Sequence, residues 1–347
     1  MNPVSARLLG QQLSAPLFKE PAEVVSWFGA MQAQDYRGMR WAVAMRTGRP
    51  SYKAFAKAFN DGRIIRTHLL RTTWQLVAGE DYHWMLDLCR SKALAGLRGW
   101  MHANGIDIPD SEKSRIQALI TDAVAGKHAV LKEDIDLALK EKGVVMDDHR
   151  LSYHLRLAEL DGLLCSGDLH PTKRTLALVS EKIGPPMRMD RDEALALLAR
   201  KYFRSHGPAS LDDFVWWAGL NIRECRRGMD VLGNELVTIR YRKRDYHFLG
   251  DARTRGFRSG QVLLLPAFDE YLIGYKSRHV VLHPAHAPKA HNQSGIFYHV
   301  VALDGEIVGN WRPLEPDFGI TVFKEDVHLP EDALQKEMER LRAARKR

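Results

Sequence analysis

With 347 residues, 45% of them hydrophobic and 27% charged, the chain can bury two or three ordinary globular cores. No apolar run approaches the roughly 18 residues of a membrane helix, and Met1–Arg7 has no h-region of a secretory leader. The net charge of +8 is less telling than it looks, since five of the basic residues fall in the last eight positions. Cys89, Cys165 and Cys225 are dispersed, odd in number and never in a C-x-x-C pair. That usage predicts a reducing, cytoplasmic setting and no thiolate metal site.

In chain order, helices are predicted near Pro21–Met31 and Ser51–Asn60, then an alternating hairpin over Arg63–His68 and Thr72–Val77. A helix from about Ser111 to Ala125 and another within Ala129–Leu139 follow. Asp147 and Asp148 can cap a third helix, with Leu151, Leu155 and Ala158 on its apolar face. Leu163–Ser166 and Thr175–Val179 then read as a two-stranded wing. The order recurs downstream: Gly207–Trp217, a helix opened by Asn221, and strands over Glu235–Arg240 and Asp245–Leu249. Three such units predict an α+β, mostly helical chain of tandem winged helices. Boundaries are expected at 1–80, 81–185 and 186–330, the last carrying extra C-terminal strands, with a helix and a disordered basic tail over 331–347. Between Ile222 and Arg244, seven basic residues face three acidic ones, which suits either a phosphate-contacting surface or a solvated one.

The segment Met31-Gln32-Ala33-Gln34-Asp35-Tyr36 stands out because paired glutamines make poor core residues and poor acids or bases. With Thr67–Trp74, the run Val262–Arg278 and the pattern Asp304–Arg312, it resembles the AlkZ/YcaQ-like bacterial DNA glycosylases over roughly residues 5–325. The resemblance implies three winged-helix units in a C shape around a basic channel. It implies excision of alkylated purines from double-stranded DNA, in some members from interstrand crosslinks. Gln32 and Gln34 match the Gln-x-Gln form of the catalytic motif; another branch has an acid at the second position. The DNA-contacting candidates are Arg37, Arg63, Arg66, His68 and Arg71 in the first unit. Arg226, Arg240, Arg242 and Lys243 follow in the third, with Asp269 and Arg312 beyond. His68 can equally be a satisfied histidine of the hairpin, and Asp269 can equally fasten a loop.

The chemistry supports the same reading independently. An N3- or N7-alkylated purine is cationic, so its glycosidic bond breaks without a general acid. What remains is to place a water at C1′, which a glutamine can do by hydrogen bonding without taking up the proton. On a helix, residues two apart point about 200° apart, so the helix must end near Met31 or Gln32 for the pair to share a water. The nearest lysines in sequence, Lys19 and Lys53, are too remote to predict a Schiff base, so a monofunctional enzyme is expected. His279, His283, His286, His291 and His299 crowd one region without the spacing of a metal site, and neither metal nor cofactor is expected. The predicted protein is a cytoplasmic, nucleoid-associated monomer. Its rivals are a non-catalytic tandem winged-helix regulator and a protein-interaction scaffold.

Overall fold

A computed structural model describes residues 2–185, 189–314 and 317–347. After α1 (Pro3–Gly10), the first unit comprises α2 (Pro21–Phe28), β1 (Ala30–Gln32), α3 (Met39–Ala44), α4 (Tyr52–Asn60), β2 (Ile64–His68) and β3 (Trp74–Ala78). Its antiparallel sheet has the order β1-β3-β2. Val24, Phe28, Phe55, Ile64 and Leu76 form the core beneath it. Gly29, at φ 81°, ends α2 and lets the chain turn directly into β1.

The long α5 (Tyr82–Ala103) leads to the second unit: α6 (Asp110–Val124), β4 (Val130–Leu131), α7 (Lys132–Glu141), α8 (Asp148–Leu160), β5 (Leu164–Ser166) and β6 (Thr175–Leu178). The Asp147 side chain caps α8 by accepting from the Arg150 N–H at 2.8 Å. The sheet order is β4-β6-β5, the same as in the first unit. A short α9 (Val179–Lys182) closes the unit.

The third unit runs through α10 (Arg191–Ser205), α11 (Leu211–Ala218), α12 (Ile222–Leu232), β7 (Leu236–Tyr241) and β8 (Arg244–Leu249). A bridge between Ala209 and His247 takes the place of a first strand, so the pattern of the other two sheets is repeated in reduced form. Ser210 and Asn221 cap α11 and α12. The helix-helix-wing order read from the sequence is thus present three times.

The strands beyond this unit form a sheet of their own. It comprises β9 (Val262–Leu265), β10 (Val300–Leu303), β11 (Glu306–Asn310) and β12 (Thr321–Val322), ordered β12-β11-β10-β9. Two short helices, α13 (Glu270–Ile273) and α14 (Ala287–Ala290), interrupt it. Its apolar face is covered by α15 (Glu331–Lys346), which buries Met338, Leu341 and Ala344. The expected disordered basic tail is therefore corrected: Arg340–Lys346 are helical, and the Arg347 main-chain oxygen accepts from Ser51 Oγ at 2.7 Å. Leu341 and Ala344 lie four and seven positions beyond a buried glutamate, Glu337, on one face of the helix, and that buried stripe docks the segment. Among the described residues, no helix is long and apolar enough to cross a membrane.

Candidate active site

Strand β1 is three residues long, and its last residue, Gln32, sits opposite Gln75 of β3. Side chains directly opposite in an antiparallel pair share a face, so the two amides meet: Gln75 Nε2 donates to Gln32 Oε1 at 2.7 Å. The same oxygen accepts from Arg71 Nη2 at 3.1 Å and Thr73 Oγ1 at 3.3 Å. An arginine can only donate, so Arg71 fixes which end of the Gln32 amide is the oxygen. Three donors occupy that oxygen, and the Nε2 group is left to face away from them. Ala33 continues the extended path, its N–H donating to the Trp74 carbonyl at 2.8 Å. Gln34, two residues on, is exposed and makes no hydrogen bond among the described residues. Both glutamines line one cleft of about 520 Å³, walled by Trp216, Phe268, Arg278 and the turn at 291–297.

The cleft is held from behind by two charges. Arg71 has left-handed backbone geometry, φ 54°, and donates through Nη1 to the main-chain oxygens of Trp216 and Trp217 at 3.1 and 2.6 Å. Gly219, itself at φ 66°, lies so close that a Cβ there would come within 2.7 Å of the Arg71 nitrogen. Burial lowers the Arg71 pKa, against the pull of the Glu270 carboxylate. Glu270 opens α13 and is buried; its Oε1 accepts from the Gln32 main-chain N–H. Its Oε2 accepts from His206 Nε2 at 3.0 Å and Trp217 Nε1 at 3.2 Å. Burial works against this carboxylate, yet the His206 bond, Arg71 and the Gln32 N–H together hold its pKa below the usual range. Arg278 is the other cation of the cleft. Burial brings its pKa down to about 10, and its Nη2 has no hydrogen-bond partner.

The family described as DNA glycosylase AlkZ-like matches residues 25–344. The chain belongs to that family. An interstrand DNA cross-link repair glycosylase of Streptomyces sahachiroi is 25% identical over 338 residues, covering 91% of this chain and 88% of its own length. The solved structure of the Streptomyces sahachiroi DNA glycosylase AlkZ superposes with a TM-score of 0.78 at 23% identity, covering 98% of this chain and 95% of the other. At that identity the superposition speaks for the fold, which is shared almost end to end. Membership makes this AlkZ-like chain a DNA glycosylase, so the regulator and the scaffold are set aside.

In this AlkZ-like glycosylase the remaining candidates from the sequence are dispersed. Arg37 is exposed, its N–H held by Asp35 Oδ1 at 3.0 Å. Arg63 is exposed at the far end of β2, beside Glu20 and Asp61, and lines a separate cleft of about 740 Å³ with Lys182 and Arg204. Arg66 is a correction. It is 1% exposed, gives Nε and Nη2 to the Ala33 carbonyl and lies 3.8 Å over the Trp74 ring, with burial pushing its pKa down to about 9. A buried guanidinium bonded to main chain cannot reach a phosphate. His68 pairs with Glu159 at 2.6 Å and packs on Trp74, binding the first unit to the second.

Asp269 is a second correction: it is buried against Arg46, with contacts of 2.7 and 2.9 Å, and caps α13 through the Tyr271 N–H. Its role is to fasten the loop. Arg71, expected to touch DNA, spends its guanidinium on Gln32 and two tryptophan carbonyls. Arg226, Arg240, Arg242 and Lys243 are exposed on α12 and the β7–β8 hairpin, Arg240 pairing with Asp245 at 2.7 Å. Arg312 is exposed on the rim of a cleft of about 830 Å³ that shares Phe268, Ile296 and Phe297 with the glutamine cleft. Among the described residues there is no group of three metal-ligating side chains. Glu270 and Arg278 were not among the candidates; both lie in the signature segment, but nothing in their spacing tied them to Gln32.

Proposed function

We propose that this enzyme is a monofunctional glycosylase that hydrolyses the N-glycosidic bond of cationic, N3- or N7-alkylated purines in double-stranded DNA, with bulky adducts and interstrand crosslinks among its substrates. The observation that carries the reading is the lining of the glutamine cleft. Among the described residues it holds glutamines, arginines and His291, and neither a carboxylate nor a lysine. Burial lowers the His291 pKa, so its imidazole is neutral near pH 7 and cannot protonate a departing base. Without a general acid, only a base that already carries positive charge leaves readily. Without a lysine, no Schiff base forms and water is the nucleophile.

The orientation of the amides assigns roles to the pair. Gln32 offers an N–H, because its oxygen is occupied by Arg71, Thr73 and Gln75. Gln34 has a free amide oxygen. A water that accepts from Gln32 and donates to Gln34 keeps one lone pair for C1′. As the C1′–N bond breaks, the alkylated base takes both electrons and leaves neutral. The water bonds to the oxocarbenium-like carbon, and its extra proton passes to solvent. Arg278, whose Nε and Nη1 are tied to the Leu272 and Lys276 carbonyls, adds positive charge to the wall of the cleft.

Substrate breadth follows from openness. The glutamine cleft shares Arg71 and Trp216 with a neighbouring cleft of about 550 Å³ and continues past the 291–297 turn into the one near Arg312. An open run of clefts does not require a base to be fully flipped, and a relative is named as a cross-link repair glycosylase. Such an enzyme would act in the cytoplasm at the nucleoid. In the test, the double variant Q32A/Q34A loses release of N7-methylguanine from methylated duplex while keeping its duplex affinity. Release at the parental rate would overturn the proposed mechanism.

A further inference from the structure

We propose that Glu270 is a positioning residue of this site, which together with Arg71 locks Gln32 as a hydrogen-bond donor toward the cleft. The inference rests on the reading of Gln32 given above. Glu270 does not itself line the cleft and acts through its neighbours, Gln32 among them.

Three donors converge on its two oxygens from three parts of the chain. They are the Gln32 N–H at the end of β1, His206 Nε2 at the end of α10, and Trp217 Nε1 near the end of α11. A carboxylate accepts all three; a neutral amide, with one oxygen and an NH₂, cannot. The His206 ring stacks on Tyr202 at 4.6 Å and is bonded to Ser205, so it cannot move aside. Trp217 is fully buried. The remaining free partner is the β1 terminus, and that is the residue whose side chain enters the cleft.

Arg71 completes the arrangement. Its Nη1 is tied to the carbonyls of Trp216 and Trp217, and its Nη2 holds Gln32 Oε1. The main chain of Gln32 is thus gripped by an anion and its side-chain oxygen by a cation, the same anion favouring the cation's charge. With the oxygen pinned inward, the amide cannot turn over, and Nε2 is always the group presented. A buried charge couple that served packing alone would be expensive; this one sets the direction of a single side chain. The site in the first unit is then competent only when the third unit and α13 are docked on it.

The test is E270Q, assayed for N7-methylguanine release under single turnover at saturating enzyme. The expected result is a loss of about 10²-fold in rate, typical of a misplaced reacting group, with duplex Kd within about twofold of the parent. In a Q32A background, which keeps Gln34 and a residual rate, E270Q should cost little more, since both changes disable one group. A parental rate in E270Q, or losses that multiply with Q32A, would overturn the proposal. If E270Q does not fold, R71K decides. It keeps the charge but cannot both hold Gln32 Oε1 and bridge two carbonyls, so it too should lose rate without losing affinity; a parental rate in R71K overturns the proposal. Release retained by Q32A/Q34A would instead bring down the water-positioning reading itself, whatever E270Q shows.

Discussion

Replacing Asp269 by Ala separates a DNA-contacting role from a fastening one. In the fold, the Arg46 and Asp269 side chains are 0% and 1% exposed and joined by two hydrogen bonds of 2.7 and 2.9 Å. Removing the carboxylate strands a buried guanidinium, which costs about 3–5 kcal/mol, and the lost cap of α13 adds about 1 kcal/mol. With an unfolding entropy of about 2.1 cal/mol/K per residue, a 347-residue chain melting as one unit should lose roughly 5–8 °C in Tm. Thermal melts followed by circular dichroism measure this, and duplex titration at 20 °C should show Kd unchanged. The double variant R46M/D269A, in which no charge is stranded, should recover at least half of the loss. An unchanged melt accompanied by weakened DNA binding would refute the reasoning.

The variant R226Q/R240Q/R242Q should make the log–log salt slope of duplex binding less steep by about 2.7 if all three groups meet phosphates; an unchanged slope would mark a solvated surface. Leu341→Ala, at a fully buried position of α15, should destabilise by about 2–5 kcal/mol in denaturant melts, whereas a loosely attached tail would not respond. Burial lowers the pKa values of His68, His154 and His206 below 6.5 despite their carboxylate partners. Near and below pH 6.5 the unfolded chain therefore binds protons that the folded one refuses. Stability present above that range should fall on acidification from about pH 7.5 to 5.5, and H68Q should flatten part of the decline. A Tm that rises over that interval would contradict the assignment.

Local signals carried much of the fold. Asp147 and Asn221 announced helix starts because a cap needs only its own next turn, and amphipathic spacing located α7 and α8. Helices α5 and α10 escaped; extra C-terminal strands were expected, but as part of the third unit rather than as a sheet of their own. α10 packs between units and buries two sides, which blurs its amphipathic period, and a sheet of two- to five-residue strands has little pattern to show. Within the site, Arg66 of β2 was the misleading residue. Alternation correctly put Arg66 and His68 on one face, but that face is turned inward onto Trp74 and the second unit. Glu270 was invisible for a different reason. Its partners lie 53 to 238 residues away in sequence, and no local rule distinguishes it from Asp269 beside it, which pairs with Arg46 instead.

The three cysteines are all buried, and burial pushes each thiol up to about 12. Since the thiolate is the reactive form, the thiols stay in their unreactive, protonated form at neutral pH. On the proposed reading, the enzyme works in the presence of the electrophiles that alkylate purines. Its three thiols, protonated and screened, offer those electrophiles almost nothing to react with, so on that reading the repair catalyst can outlast the chemical stress that creates its substrate.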